Sequence, residues 1–162
     1  MKTNECLPGW SRHEDYCYLV HGKNYKTSVS HAKFGCWLYY QAHLVSILNS
    51  GEQQFVQSLI NQNHKDENGR FWIGYTDEHS QKNYRWNDGS TSAYTNWEVL
   101  EPNHLPGEDC AVMKLNGKWN DLSCMAQHSY VCKKHIGKLR QNIFVFTAAQ
   151  YDKVDQLNAL KK

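Results

Sequence analysis

The sequence of 162 residues predicts an α+β fold, with one domain over residues 1–134 and a C-terminal extension over residues 135–162. Two segments with helical periodicity lie in the first half of the chain, and a series of short segments typical of strands follows them. Six Trp, ten Tyr and five Phe supply the large side chains that a core of this size needs.

The first element is a predicted hairpin from Cys6 to Val20, in which the polar run Ser11–Asp15 separates Trp10 from Tyr16. A helix over Thr27–Tyr40 comes next, capped by Thr27 or Ser28. Five residues, most of them small or apolar, recur along it at helical spacing and predict its buried face. They are Val29, Ala32, Lys33, Cys36 and Trp37.

A weakly alternating segment, His43–Ile47, predicts a short strand. Asn49-Ser50 then precedes Glu52, which predicts a capped second helix with an acidic first turn. The apolar residues of this helix are Phe55, Val56, Leu59 and Ile60. The polar stretch Asn61–Gly69 ends it.

The second half of the domain predicts strands. Phe71–Tyr75 is typical of a buried strand, and Tyr84–Gly89 of a strand that enters an Asp-Gly turn. The stretch Gly89–Glu108 lacks periodicity, and so long a loop in a compact domain is usually functional or disordered.

A second hairpin joins Cys110–Leu115 to Lys118–Asp121 through the Asn116-Gly117 turn. Tyr130–Cys132 is the predicted closing strand. We expect Trp72, Trp86, Trp97 and Trp119 to lie in the core rather than to stack on a ligand.

Charge and hydropathy exclude two classes of partner. Lys and Arg number 18 against 16 Asp and Glu, a net charge of +2 without a basic stripe, which disfavours nucleic acid. No run of eighteen apolar residues is present, so no membrane insertion is expected.

The six cysteines predict disulfides and secretion, because their number is even and none forms a Cys-x-x-Cys pair. The sequence alone permits fifteen pairings. No apolar stretch precedes Cys6, so either a signal peptide has been removed or the protein is cytosolic. Cysteine usage favours secretion.

Five oxygen-bearing side chains fall within about twenty residues and predict a calcium site. They are Glu101, Asn103, Glu108, Asn120 and Asp121. Calcium takes six to eight oxygen ligands, so places remain for the hydroxyl groups of a ligand.

From Cys6 to Cys132 the arrangement resembles the C-type lectin-like domain. The matching motifs are the helical Cys36, Trp72-Ile73-Gly74, Trp97, Glu108-Asp109-Cys110 and Trp119-Asn120-Asp121. The resemblance implies two helices, short antiparallel sheets and a long calcium-binding loop. It also implies three disulfides: Cys6–Cys17, Cys36–Cys132 and Cys110–Cys124.

By that resemblance the five side chains and the Asp121 carbonyl hold calcium, while Glu101, Asn103, Glu108 and Asn120 also bind sugar hydroxyls. Carboxylates accept hydroxyl protons and amides donate N–H groups, so each hydroxyl can be fully paired. Glu101-Pro102-Asn103 implies equatorial 3- and 4-hydroxyls, as on mannose, N-acetylglucosamine or fucose-type sugars, with a cis Glu101-Pro102 peptide.

The sequence departs from the family in two places. The segment between Asn103 and Glu108 is one residue shorter than in mannose-binding collectins, which bears on the shape of the sugar pocket. The family's auxiliary calcium site corresponds to Asp77, Gln81, His104 and Asp109, together with Glu108. Gln81 and His104 reduce its anionic oxygens, so we expect weak calcium binding there.

Other functions stay open. The same fold could serve as a protein-binding or ice-binding module, or could bind galactose-type sugars despite Glu101-Pro102-Asn103. A glycosidase pair made of Glu101 and Glu108 is disfavoured, because amides surround these acids as in a metal site. We therefore predict no enzyme activity.

The extension carries two apolar patterns. Ile143–Phe146 is one of them, and the other recurs every third residue at Tyr151, Val154, Leu157 and Leu160. An association helix that makes a homo-oligomer and a disordered tail are both compatible with this sequence, since so short a helix is marginal alone in water.

Overall fold

The structure, a computed structural model, describes residues 5–22, 25–64 and 68–137. The patterns at Ile143–Phe146 and Tyr151–Leu160 lie outside the described residues, so the interpretations of the extension stay predictions. In chain order the elements are β1 Ser11–His13, β2 Tyr16–His21, α1 Val29–Tyr40, β3 His43–Leu44, α2 Ser50–Asn63, β4 Arg70–Thr76, β5 Arg85–Trp86, β6 Cys110–Lys114, β7 Trp119–Leu122 and β8 Ser129–His135. The predicted α+β class is confirmed.

The strands form one network in the order β1-β2-β8-β4-β6-β7, with β3 added to β8 and β5 to β4. All pairings are antiparallel except β4 with β8, where Phe71 lies opposite Ser129. The last strand in the chain therefore lies in the middle of the network. It pairs with β2 of the N-terminal hairpin on one side. On the other side it pairs with β4, which in turn pairs with the β6–β7 hairpin.

Two apolar clusters fill the interior. The first joins α2 to the sheet and centres on Val56, Ile60, Phe71, Met113 and Trp119. The second joins α1 to the sheet and centres on Ala32, Cys36, Leu44, Trp72 and Tyr130. Trp72, Trp86 and Trp119 are buried as predicted, whereas Trp97 is only partly buried and packs against the first cluster.

The predicted buried face of α1 is wrong at one position. Val29, Ala32 and Cys36 are buried, but Trp37 is 60% exposed. The Cys36–Cys132 disulfide fixes the rotation of the helix about its axis. One residue further along, the side chain points about 100° away from the sheet.

Helix α2 begins as predicted, because the Asn49 side chain accepts a hydrogen bond from the Glu52 N–H at 2.9 Å. The Glu52 carboxylate is buried, pairs with the ammonium group of Lys133 on β8 and accepts from the Tyr18 hydroxyl at 2.7 Å. Lys133 also donates to the carbonyl and hydroxyl oxygens of Ser46, each at 3.1 Å. A charge-balanced polar network therefore ties α2 to the sheet.

All three implied disulfides are present: Cys6–Cys17, Cys36–Cys132 and Cys110–Cys124. The strand predicted over His43–Ile47 is shorter, because β3 covers only His43–Leu44. Beyond it the Val45 N–H still donates to the Val131 carbonyl, at 2.8 Å. Within the described residues no helix is both long and apolar enough to cross a bilayer.

Candidate calcium and carbohydrate site

The long loop between β5 and β6 is anchored to β7 at its middle. The Glu98 N–H donates to the Trp119 carbonyl, and the Trp119 N–H donates to the Asn96 carbonyl, both at 2.9 Å. Lys114 on β6 holds the Glu98 carboxylate at 2.7 Å. Because β7 also carries Asp121, this anchor brings residues 101–104 of the loop against that carboxylate.

The loop turns sharply around Glu101-Pro102. The peptide bond between these residues is cis, as the resemblance implies. Leu100 and His104 on either side adopt left-handed backbone angles, with φ of 69° and 54°. Such angles are uncommon outside glycine and mark a built turn rather than an extended loop.

Glu101, Asn103 and Asp121 form one hydrogen-bonded cluster. Asp121 Oδ1 accepts from the Asn103 N–H at 3.2 Å, and Oδ2 accepts from the His104 N–H at 2.9 Å. Glu101 accepts from the backbone and side-chain nitrogens of Asn103, at 3.1 and 3.3 Å. The side-chain Oδ1 of Asn103 accepts from the Leu105 N–H at 3.0 Å. Asp121 Oδ1 and Asn103 Oδ1 each accept one of these bonds and keep a lone pair for a further partner.

The two carboxyl groups of the cluster also contact each other. Partial burial, and then the hydrogen bond to Asp121, raise the pKa of Glu101. Burial opposes ionisation of Asp121, but hydrogen bonds from Glu101, His104 and Asn103 outweigh burial and hold its pKa below the ordinary value. Both carboxyl groups accept from the Asn103 N–H, and no cationic side chain of the described residues pairs with either, so a cation placed beside them would relieve their mutual repulsion.

Asn120 provides a further sign of a missing partner. Its Oδ1 is buried and accepts no hydrogen bond from the described residues, although buried polar atoms are rarely left unpaired. Asn120 neighbours Asp121 on β7, and the Asp121 side chain is buried as well. An orphaned amide oxygen next in sequence to Asp121 is a type of ligand that a hard cation accepts.

The fifth predicted ligand, Glu108, is not joined to this cluster by any hydrogen bond among the described residues. One group of three His, Cys, Asp or Glu side chains in the described part of the chain has its ligand atoms within 4.8 Å of one another: Glu78, Cys110 and Cys124. Both cysteines form one disulfide bond, so neither offers a free thiolate and this group is not a metal site. Approach of Glu108 to Glu101 and Asp121 stays a prediction.

The auxiliary residues lie near one another but are largely paired within the chain. Gln81 donates to Asp109 at 2.7 Å, and Asp77 Oδ2 accepts from the Lys82 N–H at 2.7 Å. His104 Nδ1 is 3.9 Å from Asp77 Oδ2. Asp77 Oδ1 is buried without a partner among the described residues. Apart from Glu108, which both sets share, each set has two acids, but in the auxiliary set Gln81 and the Lys82 N–H already pair with those acids.

Sequence reasoning missed Tyr84, whose hydroxyl lies 3.4 Å from Asp121 Oδ2. Burial, followed by repulsion from Asp121 and Asp77, raises the pKa of Tyr84, so the hydroxyl keeps its proton and donates. It also missed the two backbone N–H groups that hold Asp121. Their role depends on the turn at Glu101-Pro102, and the sequence carries no signal for the direction of an N–H.

Comparisons with known proteins agree with this geometry. The family described as "Lectin C-type domain" matches residues 25–134. Alpha-N-acetylgalactosamine-specific lectin of Patiria pectinifera is 32% identical over 135 residues, covering 78% of each protein. Human C-type mannose receptor 2 is 35% identical over 140 residues, which are 85% of this chain but 9% of the receptor. This chain therefore spans only a small part of the length of that receptor.

Two solved structures carry further information. A structure titled as the EPNH mutant of CEL-I is 32% identical, with a TM-score of 0.74 over 81% of this chain and 97% of that one. Residues 101–104 here also read Glu-Pro-Asn-His. A calcium-independent type II antifreeze protein is 26% identical, with a TM-score of 0.71 over 81% of this chain and 95% of that one. On the family match and the fold, the chain belongs to the C-type lectin domain family.

Proposed function

We propose that this domain binds carbohydrate through calcium, without catalysing a reaction. Membership of the C-type lectin family supports carbohydrate binding in general. The observation that carries the calcium requirement is the Glu101–Asp121 pair, in which two carboxyl groups accept from the same Asn103 N–H and no cationic side chain of the described residues neutralises either. A cation bound beside this pair would supply the balancing charge.

Glu101, Asn103, Glu108, Asn120 and Asp121 would hold the ion. Bound calcium supplies positive charge and open coordination places for two neighbouring sugar hydroxyls. Glu101 and Glu108 accept the protons of those hydroxyls, and the amide groups of Asn103 and Asn120 donate to their oxygens. The backbone N–H groups of residues 103 and 104 keep Asp121 in place while the sugar binds.

The proposed ligands are mannose, N-acetylglucosamine and fucose-type sugars. Glu101 and Asn103 support this preference, since an acceptor and a donor flank Pro102 in the order expected for equatorial 3- and 4-hydroxyls. Galactose-type specificity is the second candidate, because the relative from Patiria pectinifera is named for α-N-acetylgalactosamine. The antifreeze structure supports a third candidate function, in which the fold serves without binding sugar. That structure is less similar to this chain in sequence.

Glycan binding in calcium and in a chelator tests the proposal. We expect methyl α-mannoside to inhibit binding of a mannose-terminated glycan better than methyl α-galactoside, and binding of that glycan to vanish in chelator. Asp121→Asn should abolish it, while Asp109→Asn, a matched change in the auxiliary group, should leave most of it. Binding of the mannose-terminated glycan that persists in chelator, or in Asp121→Asn, would refute the calcium site.

We further propose an extracellular location and glycans on cell surfaces or glycoproteins as partners. A shallow site with millimolar affinity gives only about 4 kcal/mol, so linked sites are needed for useful avidity. The extension beyond Lys134 is the proposed source of homo-oligomers. Truncation after Lys134 should keep monosaccharide affinity but lower the sedimenting mass and abolish agglutination. Equal mass and agglutination in both proteins would exclude the extension.

A further inference from the structure

A groove lies between β4–β5 and the start of the long loop, and none of the predicted calcium ligands lines it. It has a volume of about 400 Å³, within the range of small-molecule sites. Its wall is aromatic and its rim is polar. The lining residues are Tyr75, Tyr84, Arg85, Trp86 and the segment Gly89–Ser92.

The aromatic wall is continuous. Tyr75 stacks on Trp86 with ring centroids 4.4 Å apart, and Tyr84 lies 5.2 Å from Tyr75. Trp86 is buried, and its indole N–H has no acceptor among the described residues. The groove therefore presents an apolar, aromatic wall to a ligand.

Arg85 gives the groove a positive charge. Its side chain is exposed and forms no ion pair with a carboxylate of the described residues. The nearest acid in sequence, Asp88, uses Oδ1 to accept from the Ser90 N–H at 2.9 Å. A planar guanidinium without a partner is suited to a carboxylate, which it can bind through two parallel hydrogen bonds.

Hydroxyl groups complete the lining. Ser92 is occupied, because its hydroxyl donates to the Leu48 carbonyl at 2.7 Å. Ser90 and Thr91 make no side-chain hydrogen bond within the described part of the chain, so their hydroxyls are free to pair with a ligand. An aromatic wall, hydroxyls and one unpaired cation match a pyranose ring that bears a carboxylate.

We propose that this groove binds an acidic monosaccharide unit of the uronic acid class, independently of calcium. The pyranose ring packs against Tyr75 and Tyr84, its carboxylate pairs with Arg85, and its hydroxyls contact Ser90 and Thr91. Tyr84 lines this groove and also touches Asp121, so the two sites are neighbours. The groove would add acidic glycans to the range of ligands that the domain recognises.

Three probes test this site by NMR titration of the full chain in excess chelator, which removes the calcium site from the experiment. Methyl β-glucuronide should shift the amide signals of Gly89, Ser90 and Thr91 with a millimolar Kd. Methyl β-glucoside, which lacks only the carboxylate, and acetate, which lacks the ring, should each bind at least about fivefold more weakly. The ligand comparison needs no variant, so it does not depend on a variant's folding.

A matched pair of variants locates the charge. Arg85→Gln should weaken glucuronide binding roughly five- to tenfold, while Arg70→Gln, at another exposed strand arginine, should leave it unchanged. Equal binding of glucuronide and glucoside, equal binding of acetate, signal shifts confined to residues outside the groove, or equal losses in both variants would each overturn the proposal. The result stands whether or not calcium binds at Asp121.

Discussion

Two acidic sites in this domain differ in how their charge is balanced. At α2, Glu52 is buried against Lys133 and accepts from Tyr18, so the chain itself neutralises and solvates the carboxylate. At the long loop, Glu101 contacts Asp121, and no cationic side chain of the described residues pairs with either. The first site is neutralised within the chain, and the second is the place where we propose that a cation binds.

Removing the carboxylate at each site should therefore have opposite effects on stability. Glu52→Gln leaves the Lys133 ammonium group buried without its counter-ion, and we expect a loss of about 3–5 kcal/mol in the free energy of unfolding. Urea unfolding in chelator measures it. A loss below about 1 kcal/mol would show that Lys133 finds other partners, and that the network is not what ties α2 to the sheet.

The second prediction concerns the ligand rather than the fold. Glu101→Gln with Asn103→Asp exchanges the acceptor and the donor that flank Pro102. The ratio of mannose to galactose inhibition should fall roughly tenfold, about 1.4 kcal/mol, which is the size of one hydrogen bond to a charged group. Glu98→Gln, in the same loop but paired with Lys114, is the control. A wild-type protein that already prefers galactose would refute the proposed specificity.

The third prediction follows from the raised pKa of Glu101. In chelator at neutral pH both carboxylates ionise and repel, so Glu101→Gln should stabilise the domain by about 1 kcal/mol. Since the folded pKa lies above the ordinary 4.5, the wild type regains this stability as pH falls through the folded value. As the pH falls to about 4.5 the difference should shrink.

Asp121 has a lowered pKa and loses its own contribution in more acidic solution. Because Glu101 is one of the groups that lower the pKa of Asp121, the comparison is made above about pH 4.5, where Asp121 is mostly ionised in both proteins. Thermal melts of wild type and Glu101→Gln from about pH 4.5 to 8 measure the difference. A variant that is less stable than the wild type at pH 7 in chelator would contradict the proposed repulsion.

The smallest effect is expected at an exposed pair. Lys33 and Glu78 lie 3.0 Å apart, but each side chain is about a third exposed. Glu78→Gln should cost between 0.2 and 1 kcal/mol, because water and salt screen such pairs. Urea unfolding should show that added salt reduces this cost while leaving that of Glu52→Gln nearly unchanged. Equal salt sensitivity would mean that burial does not distinguish the two pairs.

The sequence predicted elements whose causes are local. The cap of α2 lies within three residues, between Asn49 and Glu52, and the turn at Asn116-Gly117 is set by two residues. Resemblance supplied the disulfides, which no spacing rule could pair. The cap and the turn depend on neighbouring residues alone, whereas the Cys36–Cys132 disulfide joins residues that are far apart in the chain.

The features that sequence reasoning missed depend on distant partners. Glu52 was predicted only as an acid in the first turn of the helix, and its partner Lys133 is 81 positions away. Trp37 fits the helical pattern and is nevertheless exposed, because the disulfide to Cys132 sets the rotation of α1. Of the predicted ligands, Glu101, Asn103 and Asp121 were chosen by residue type and lie in one hydrogen-bonded cluster, whereas Tyr84 entered only through tertiary contact.

Direct calcium titration by calorimetry tests the central claim, that the imbalance at Glu101 and Asp121 is closed by a metal ion. We predict binding at the main site that releases protons in mildly acidic buffer, disappears in Asp121→Asn and persists in Asp77→Asn. At one hundred times its Kd, calcium should also stabilise the wild type by about 2.7 kcal/mol. Absence of binding at millimolar calcium, or equal binding by Asp121→Asn, would contradict the account.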